Sequence, residues 1–355
     1  MRKASLALLA FILSAAVFPQ GINLPSFYSQ RELRAPVAVK NQLDLIRNDI
    51  AAKNLKYQVG YTSVAEVPLE KITGFRPPSP ELEKRLKEKP RPDLNIIAGN
   101  NTEVITDVKV LGEMPWPGNP YVYGNPSQSK LDLRQAGFVT PVRDQGVWGS
   151  SWAFSAMAAY ESSYKILTKK EINTSEEFVV NCSGGGDWGG GWMSLVYDWM
   201  VDNRKNVADE AAVPYTGPPM GCPSGSPAAR YYAAEWGPVD PSIALNKIPA
   251  VTLIKEAICK NGAISTALSV NENFKLYVGG VFYSSPNESG GVYHAVAIIG
   301  WDDSIQCWLI KNSWGTGWGS ECGYGTERGY MWIKYDSSHI GFHSVWVRAS
   351  TLINN

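Results

Sequence analysis

Three stretches of this sequence bring together the side-chain types that acyl transfer needs. "QGVWGSSWAFSA", residues 145 to 156, carries a carboxamide at Gln145 and a hydroxyl at Ser151. "VYHAVAIIGW" carries His294, and "IKNSWGTGWG" carries Asn312 and Trp314. Moving an acyl group takes a nucleophile, a base within hydrogen-bond reach, an orienter for that base, and donors aimed at the oxyanion. Ser151 follows Gly149-Ser150 and opens a segment, Ser151 to Lys165, whose Ala and apolar residues fall at helical spacing. It is expected at a helix N-terminus, where unpaired N–H groups and the helix dipole favour negative charge.

Competing chemistries find little support. No Cys-x-x-Cys spacing exists, and His294, His339 and His343 do not cluster, so neither a metal nor a cofactor is expected. His339 and His343 read as ordinary surface or hydrogen-bonded histidines. Gly184–Gly186 and Gly189–Gly191 are not followed by the Lys-Ser/Thr of a phosphate loop. Ser151 does not sit in a Gly-x-Ser-x-Gly elbow. The 33 Lys+Arg balance the 33 Asp+Glu, leaving no basic surplus for nucleic acid.

The elements that must position these residues follow from pattern. After the helix at Ser151, the chain from about Pro249 onward turns to short strand-like runs separated by Gly, Asn and Ser: "AISTALSV", "GGVFYSS", "YHAVAIIGW", "CWLIKNSWG" and "YMWIKY". Helices first and strands later predict an α+β domain with two packed halves. With 355 residues, 44% of them hydrophobic, the chain can bury a full core.

In this order, and with the block "SEEFVVNCSGGGDWGGGW", the stretches resemble the papain-like cysteine peptidases over about residues 130 to 345. The resemblance implies a mainly helical half (about 137 to 238) and a β-barrel half (about 239 to 345). Ser151 is then expected on one wall of the cleft between them and His294 on the other. It further implies that Gln145 and the nucleophile's own N–H form an oxyanion hole. His294 would act as base and then acid, Asn312 would orient the imidazole, and Trp314, followed by Trp318, would shield that contact. Gly190 and Gly191 match the family's pairing site for extended substrate. Trp192, Met193, Ala267 and Val292 match the pocket for the second residue upstream of the cut; all are apolar, so an apolar side chain is expected there.

The chain departs from the family at its centre, where Ser151 stands in place of Cys. A thiol beside an imidazole at a helix N-terminus can fall to a pKa of roughly 3–4 and persist as an ion pair. A hydroxyl cannot, so weak activity is expected at best. Two further family cysteines are Trp148 and Trp188, which implies a packed aromatic pair where relatives have a disulfide. Of the five cysteines, Cys182 and Cys222 match another family disulfide. Cys307 and Cys322 are a possible second pair, and Cys259 reads as a buried helix cysteine.

Ahead of the domain, Met1-Arg2-Lys3 and the apolar run Ala4 to Phe18 read as a signal peptide, residues 1–21, with an uncleaved anchor as the alternative. The run is shorter than the about 20 residues a membrane-spanning helix needs. Export is expected, to a secreted or extracytoplasmic location with disulfides permitted, and no stable membrane span after signal cleavage. Residues 22–129 are assigned as prosegment and linker, and 130–355 as the peptidase domain. Val39, Leu43, Ile46 and Ile50 have helical spacing, "YQVGYTSVAEVP" looks extended, and "GFRPPSPELEKRLKEKPRPDL" reads as punctuation. The resemblance implies that this segment inhibits by lying in the cleft against the substrate direction. Two functions follow: a secreted, zymogen-type peptidase acting on peptides or proteins through an acyl-enzyme on Ser151, or a silent relative that binds peptides or a partner. A Ser here fits a working nucleophile, a lost activity or an engineered exchange.

Overall fold

The computed structural model describes residues 24–88, 124–202, 205–218, 221–224, 229–285 and 292–350. The expected signal peptide and most of the expected linker lie outside the described residues.

Strands β1 (Lys56–Val59), β2 (Lys130–Asp132), β3 (Gly186–Asp187), β4 (Gly190–Gly191), β5 (Val207–Ala208), β6 (Ala229–Pro238), β7 (Ile264–Val270), β8 (Tyr277–Phe282), β9 (Val292–Asp302), β10 (Cys307–Lys311), β11 (Tyr330–Lys334) and β12 (Phe342–Ser350) alternate with helices in an α+β arrangement. Ten of the strands form one sheet of order β1-β8-β11-β10-β9-β7-β12-β6-β5, with β2 paired to β9. β3 and β4 make a separate ribbon of glycine-rich chain. The sheet is open, which corrects the expected closed barrel. A barrel closes only if its two end strands pair with each other. Here one end is taken by β1, from the N-terminal segment, and the other by β6 and β5, from the helical half.

The central strands are covered on both faces, and every residue of β7 and β10 is buried. One cover is the helix Ser151–Thr168, which packs on β7, β9 and β12. Its sequence is apolar nearly all round, as a buried helix requires. The helices Glu176–Cys182 and Met193–Asp202 complete the helical half.

The N-terminal segment is more ordered than its composition implied. The helix Val37–Ala52 buries Val39 and Leu43 and rests Ile46 and Ile50 on the core. A second helix, Ser26–Glu32, precedes it, and buried Arg47 makes a bidentate pair with Glu32 at 2.7 Å. Lys56 to Val59 are extended as expected, but as a strand added to the main sheet. Pro80–Glu88 forms another helix within what read as linker.

Cys182 and Cys222 form a disulfide. Cys259, Cys307 and Cys322 are free, so the possible Cys307–Cys322 pair is not made. Cys307 is fixed at the start of β10, its thiol donating to the Ile305 carbonyl at 3.0 Å. Cys322 sits at positive φ in a turn whose carbonyl accepts from Arg134.

Candidate active site

Ser151 is the first residue of the helix Ser151–Thr168 and is fully buried. Its hydroxyl oxygen accepts a hydrogen bond from the Ala295 N–H at 3.2 Å, so the helix start lies against β9 beside His294. At such a position the residue's own N–H has no intrahelical acceptor and points outward.

His294 Nε2 lies 2.7 Å from Asn312 Oδ1. That oxygen also accepts the Ser313 N–H at 2.8 Å, which fixes the carboxamide with its oxygen towards the ring. Oxygen accepts only, so Nε2 carries the proton and Nδ1 keeps a lone pair. Nδ1 has no hydrogen-bond partner among the described residues. The Trp314 ring covers the imidazole at 4.7 Å between centroids, and Phe274, Trp314 and Trp318 pack together beyond it. A hydroxyl at a helix start, the imidazole on the adjoining strand and the carboxamide that orients it thus lie together under an aromatic cover.

Gln145 supplies donors on the same side. Its N–H bonds the Ser313 carbonyl at 2.8 Å, tying this loop to the Asn312 turn. Its carboxamide is oriented by Ser313, whose hydroxyl donates to Oε1 at 2.7 Å. Nε2 then donates to the Trp148 carbonyl at 2.7 Å and to the Ile72 carbonyl at 3.0 Å. Trp314 Nε1 donates to that same Ile72 carbonyl at 3.0 Å. A peptide carbonyl from the N-terminal segment therefore sits on donors of the kind that hold an oxyanion.

The chain continues through the cleft from Ile72. The Gly191 N–H donates to Gly74 O at 2.8 Å, and the Arg76 N–H donates to Gly191 O at 3.0 Å. Phe75 and Gly191 are bridged in parallel. The Phe75 ring is buried between Tyr293 at 6.3 Å, Phe342 at 6.2 Å and His343 at 5.0 Å. Of the pocket residues expected from sequence, Trp192 packs edge-on to His343, Ala267 is aligned with Phe342 across β7 and β12, Met193 is buried behind, and Val292 is half-buried at the start of β9. Sequence reasoning missed Tyr293, Phe342, His343, Ser313 and Tyr215. Ser313 and Tyr293 adjoin residues it did identify. His343 was read as ordinary, yet it is fully buried with neither ring nitrogen paired.

Trp148 and Trp188 meet edge-on at 6.3 Å, and Tyr215 lies 5.5 Å from Trp188. The Tyr215 hydroxyl donates to the Gln145 carbonyl at 3.0 Å and bonds Ser150 Oγ at 2.6 Å. An aromatic cluster therefore braces the loop that carries Gln145 and the helix start that carries Ser151.

Burial draws His294 down from 6.5 to about 4 against the opposing Asn312 hydrogen bond, and draws His343 down to about 3. Both rings are neutral when packed and take up a proton on opening. Their contribution is thus complete above pH 6.5 and is lost as pH falls towards the lowered values, by up to ~1.4 kcal/mol per pH unit for each proton. Thermal melts of the full chain are expected to fall between about pH 7 and pH 4.5, and less steeply in His343→Phe. A melting temperature that holds steady or rises over that range contradicts this.

The sequence matches the family model "Papain family cysteine protease" over residues 127–347. It is 34% identical over 227 residues to cathepsin K of Gallus gallus, spanning 61% of this chain and 65% of that protein. It is 31% identical over 242 residues to cathepsin S of Bos taurus, spanning 64% and 67%. The fold is similar to a recombinant stem bromelain precursor, with TM-score 0.62, 23% identity and coverage of 90% and 92%. It is similar also to digestive procathepsin L2 proteinase from Tenebrio molitor larval midgut, with TM-score 0.64, 22% identity and coverage of 91% and 92%. With the family model matched over residues 127–347 and a papain-like fold, this chain belongs to the papain family of cysteine proteases.

Proposed function

We propose that this chain is an exported, zymogen-type peptidase with Ser151 as its nucleophile, slow because the hydroxyl has replaced a thiol. Residues 1–21 are its signal peptide, 22–129 its prosegment and linker, and 130–355 its peptidase domain. The observation that carries the reading is the His294–Asn312 pair, with its tautomer fixed and a lone pair left on Nδ1. In the reaction Nδ1 takes the Ser151 proton as Oγ bonds the substrate carbonyl carbon. Gln145 Nε2 and the Ser151 N–H hold the oxyanion. Collapse breaks the C–N bond, His294 protonates the leaving amine, and water then releases the acyl group by the same steps reversed. The apolar walls around Phe75 support a large apolar stem on the second residue upstream. The parallel run of residues 72–76 along Gly191 supports inhibition by a chain lying against the substrate direction.

A second reading, a silent peptide-binding relative, is favoured by neutral Asn312, which gives the imidazolium no charged partner. A fluorophosphonate, which reacts with activated serines, separates the two. Labelling at Ser151 that disappears in Ser151→Ala and in His294→Ala is expected from a peptidase. Absence of label from the full chain carrying Gly74→Val, whose added Cβ would meet the Gly149 carbonyl and lift residues 72–76 from the cleft, while peptide still binds, leaves the binding reading.

A further inference from the structure

The pocket that holds Phe75 is lined by the rings of Tyr293, Phe342 and His343. The His343 imidazole is fully buried, and neither Nδ1 nor Nε2 has a partner among the described residues. The Nε1 of buried Trp192 has none either. These two rings meet edge-on at 5.9 Å, Phe342 closes the other side of the imidazole at 4.4 Å, and Phe75 lies over it at 5.0 Å. A buried donor or acceptor left unpaired carries its whole desolvation cost. An apolar ring such as Phe75 cannot relieve it. The imidazole is also held where it is: His343 has a left-handed backbone, φ 51°, and its N–H bonds the Leu245 carbonyl at 2.9 Å.

We infer that His343, with Trp192 Nε1, forms a hydrogen-bonding floor that selects a second upstream residue with an aromatic stem and a neutral polar tip, Tyr above Phe. The inference rests on reading the cleft as a peptide site and assigns its selectivity. The stem fills the space Phe75 fills between Tyr293 and Phe342. A phenol hydroxyl both donates and accepts, so it matches either tautomer of the neutral imidazole. Burial, which draws His343 down to about 3, keeps the ring neutral at ordinary pH. A carboxylate or ammonium tip would be desolvated with no opposite charge from Trp192, Phe342 or neutral His343.

Residue 75 is a ligand built into the full chain, which allows a test independent of turnover. Phe75→Tyr, His343→Phe and the pair together are compared by thermal melts at neutral pH. Phe75→Tyr is expected to raise the melting temperature by about 2–4 °C with His343 present and to lower it with His343→Phe. His343→Gln, which keeps a hydrogen-bonding tip, should retain the rise even if His343→Phe folds poorly. The same shift in all three backgrounds overturns the inference. In the full chain with the cleft opened at Gly74, a Tyr peptide should bind roughly 5- to 10-fold tighter than its Phe analogue, about one hydrogen bond's worth. Tighter Tyr binding without cleavage keeps the subsite and sinks the peptidase reading. Cleavage with no Tyr preference does the reverse.

Discussion

With the cleft opened by Gly74→Val, Ser151→Cys is expected to raise peptide turnover by at least ~10²-fold, with Ser151→Ala at background. As the hydroxyl attacks, its proton passes to His294, whose packed environment already draws it down to about 4 and so resists the charge. Asn312 offers that imidazolium a dipole and no charge. The corresponding Asp-to-Asn loss in a serine triad is about 10⁴ in rate, on the order of 5 kcal/mol. Part of that loss reflects a wrong tautomer, which the Ser313 N–H prevents here, so the deficit should be smaller. A thiol escapes it by ionising beforehand, the thiolate pairing with the imidazolium at the helix N-terminus. Alkylation at about pH 6 provides a second readout. Burial pushes Cys259, Cys307 and Cys322 up to about 12, so only the introduced thiol should react. If that thiol ionises and alkylates readily yet peptides are not cut, the fault lies elsewhere than in the nucleophile.

Gly74→Val should empty the cleft. A Cβ added at Gly74 falls 1.9 Å from the Gly149 carbonyl oxygen and 2.3 Å from its carbon, both backbone atoms in the wall before Ser151. Neither can swing aside as a side-chain tip would, so residues 72–76 must lift. Lifting breaks the bonds to Ile72, Gly74 and Arg76, each worth about 1 kcal/mol net. It also exposes Phe75, at about 2 kcal/mol. Local opening is expected to become ~10³- to 10⁴-fold more frequent, read as faster amide exchange at Gly191 and Arg76 and faster labelling at residue 151. The helices before Ala52, which dock on other surfaces, should keep their protection. Unchanged exchange at Gly191 and Arg76 would refute this seating of the segment.

The site was legible because its members lie in short contiguous words. Gln145 and Ser151 are six positions apart, and Asn312, Ser313 and Trp314 are consecutive. Each word spans a loop and the end of the element it joins, so local pattern carried the geometry. What was not legible depends on distant pairing. The sheet stays open because β1 joins β8 from more than two hundred positions away, and nothing in "KYQV" names that partner. Phe75 lies in a Pro-rich stretch whose composition reads as linker, although Ile72 to Arg76 is held bond by bond against the far wall. His343 stands alone in sequence, and only the fold surrounds it with Phe75, Trp192 and Phe342.

The cluster of Trp148, Trp188 and Tyr215 bears on where the molecule can work. A cleft wall pinned by a disulfide loosens whenever its surroundings turn reducing. Here the wall carrying Gly189 to Gly191 is pinned to the helix start by ring packing and by the Gly149 N–H on the Trp188 carbonyl at 2.8 Å, neither of which exchanges electrons. The bridge Cys182–Cys222 closes a span of 40 residues, worth about 4 kcal/mol of chain entropy. Thiols in the medium can thus cost this protein some of its overall stability while leaving the contacts that tie the cleft wall to the helix start of Ser151 in place.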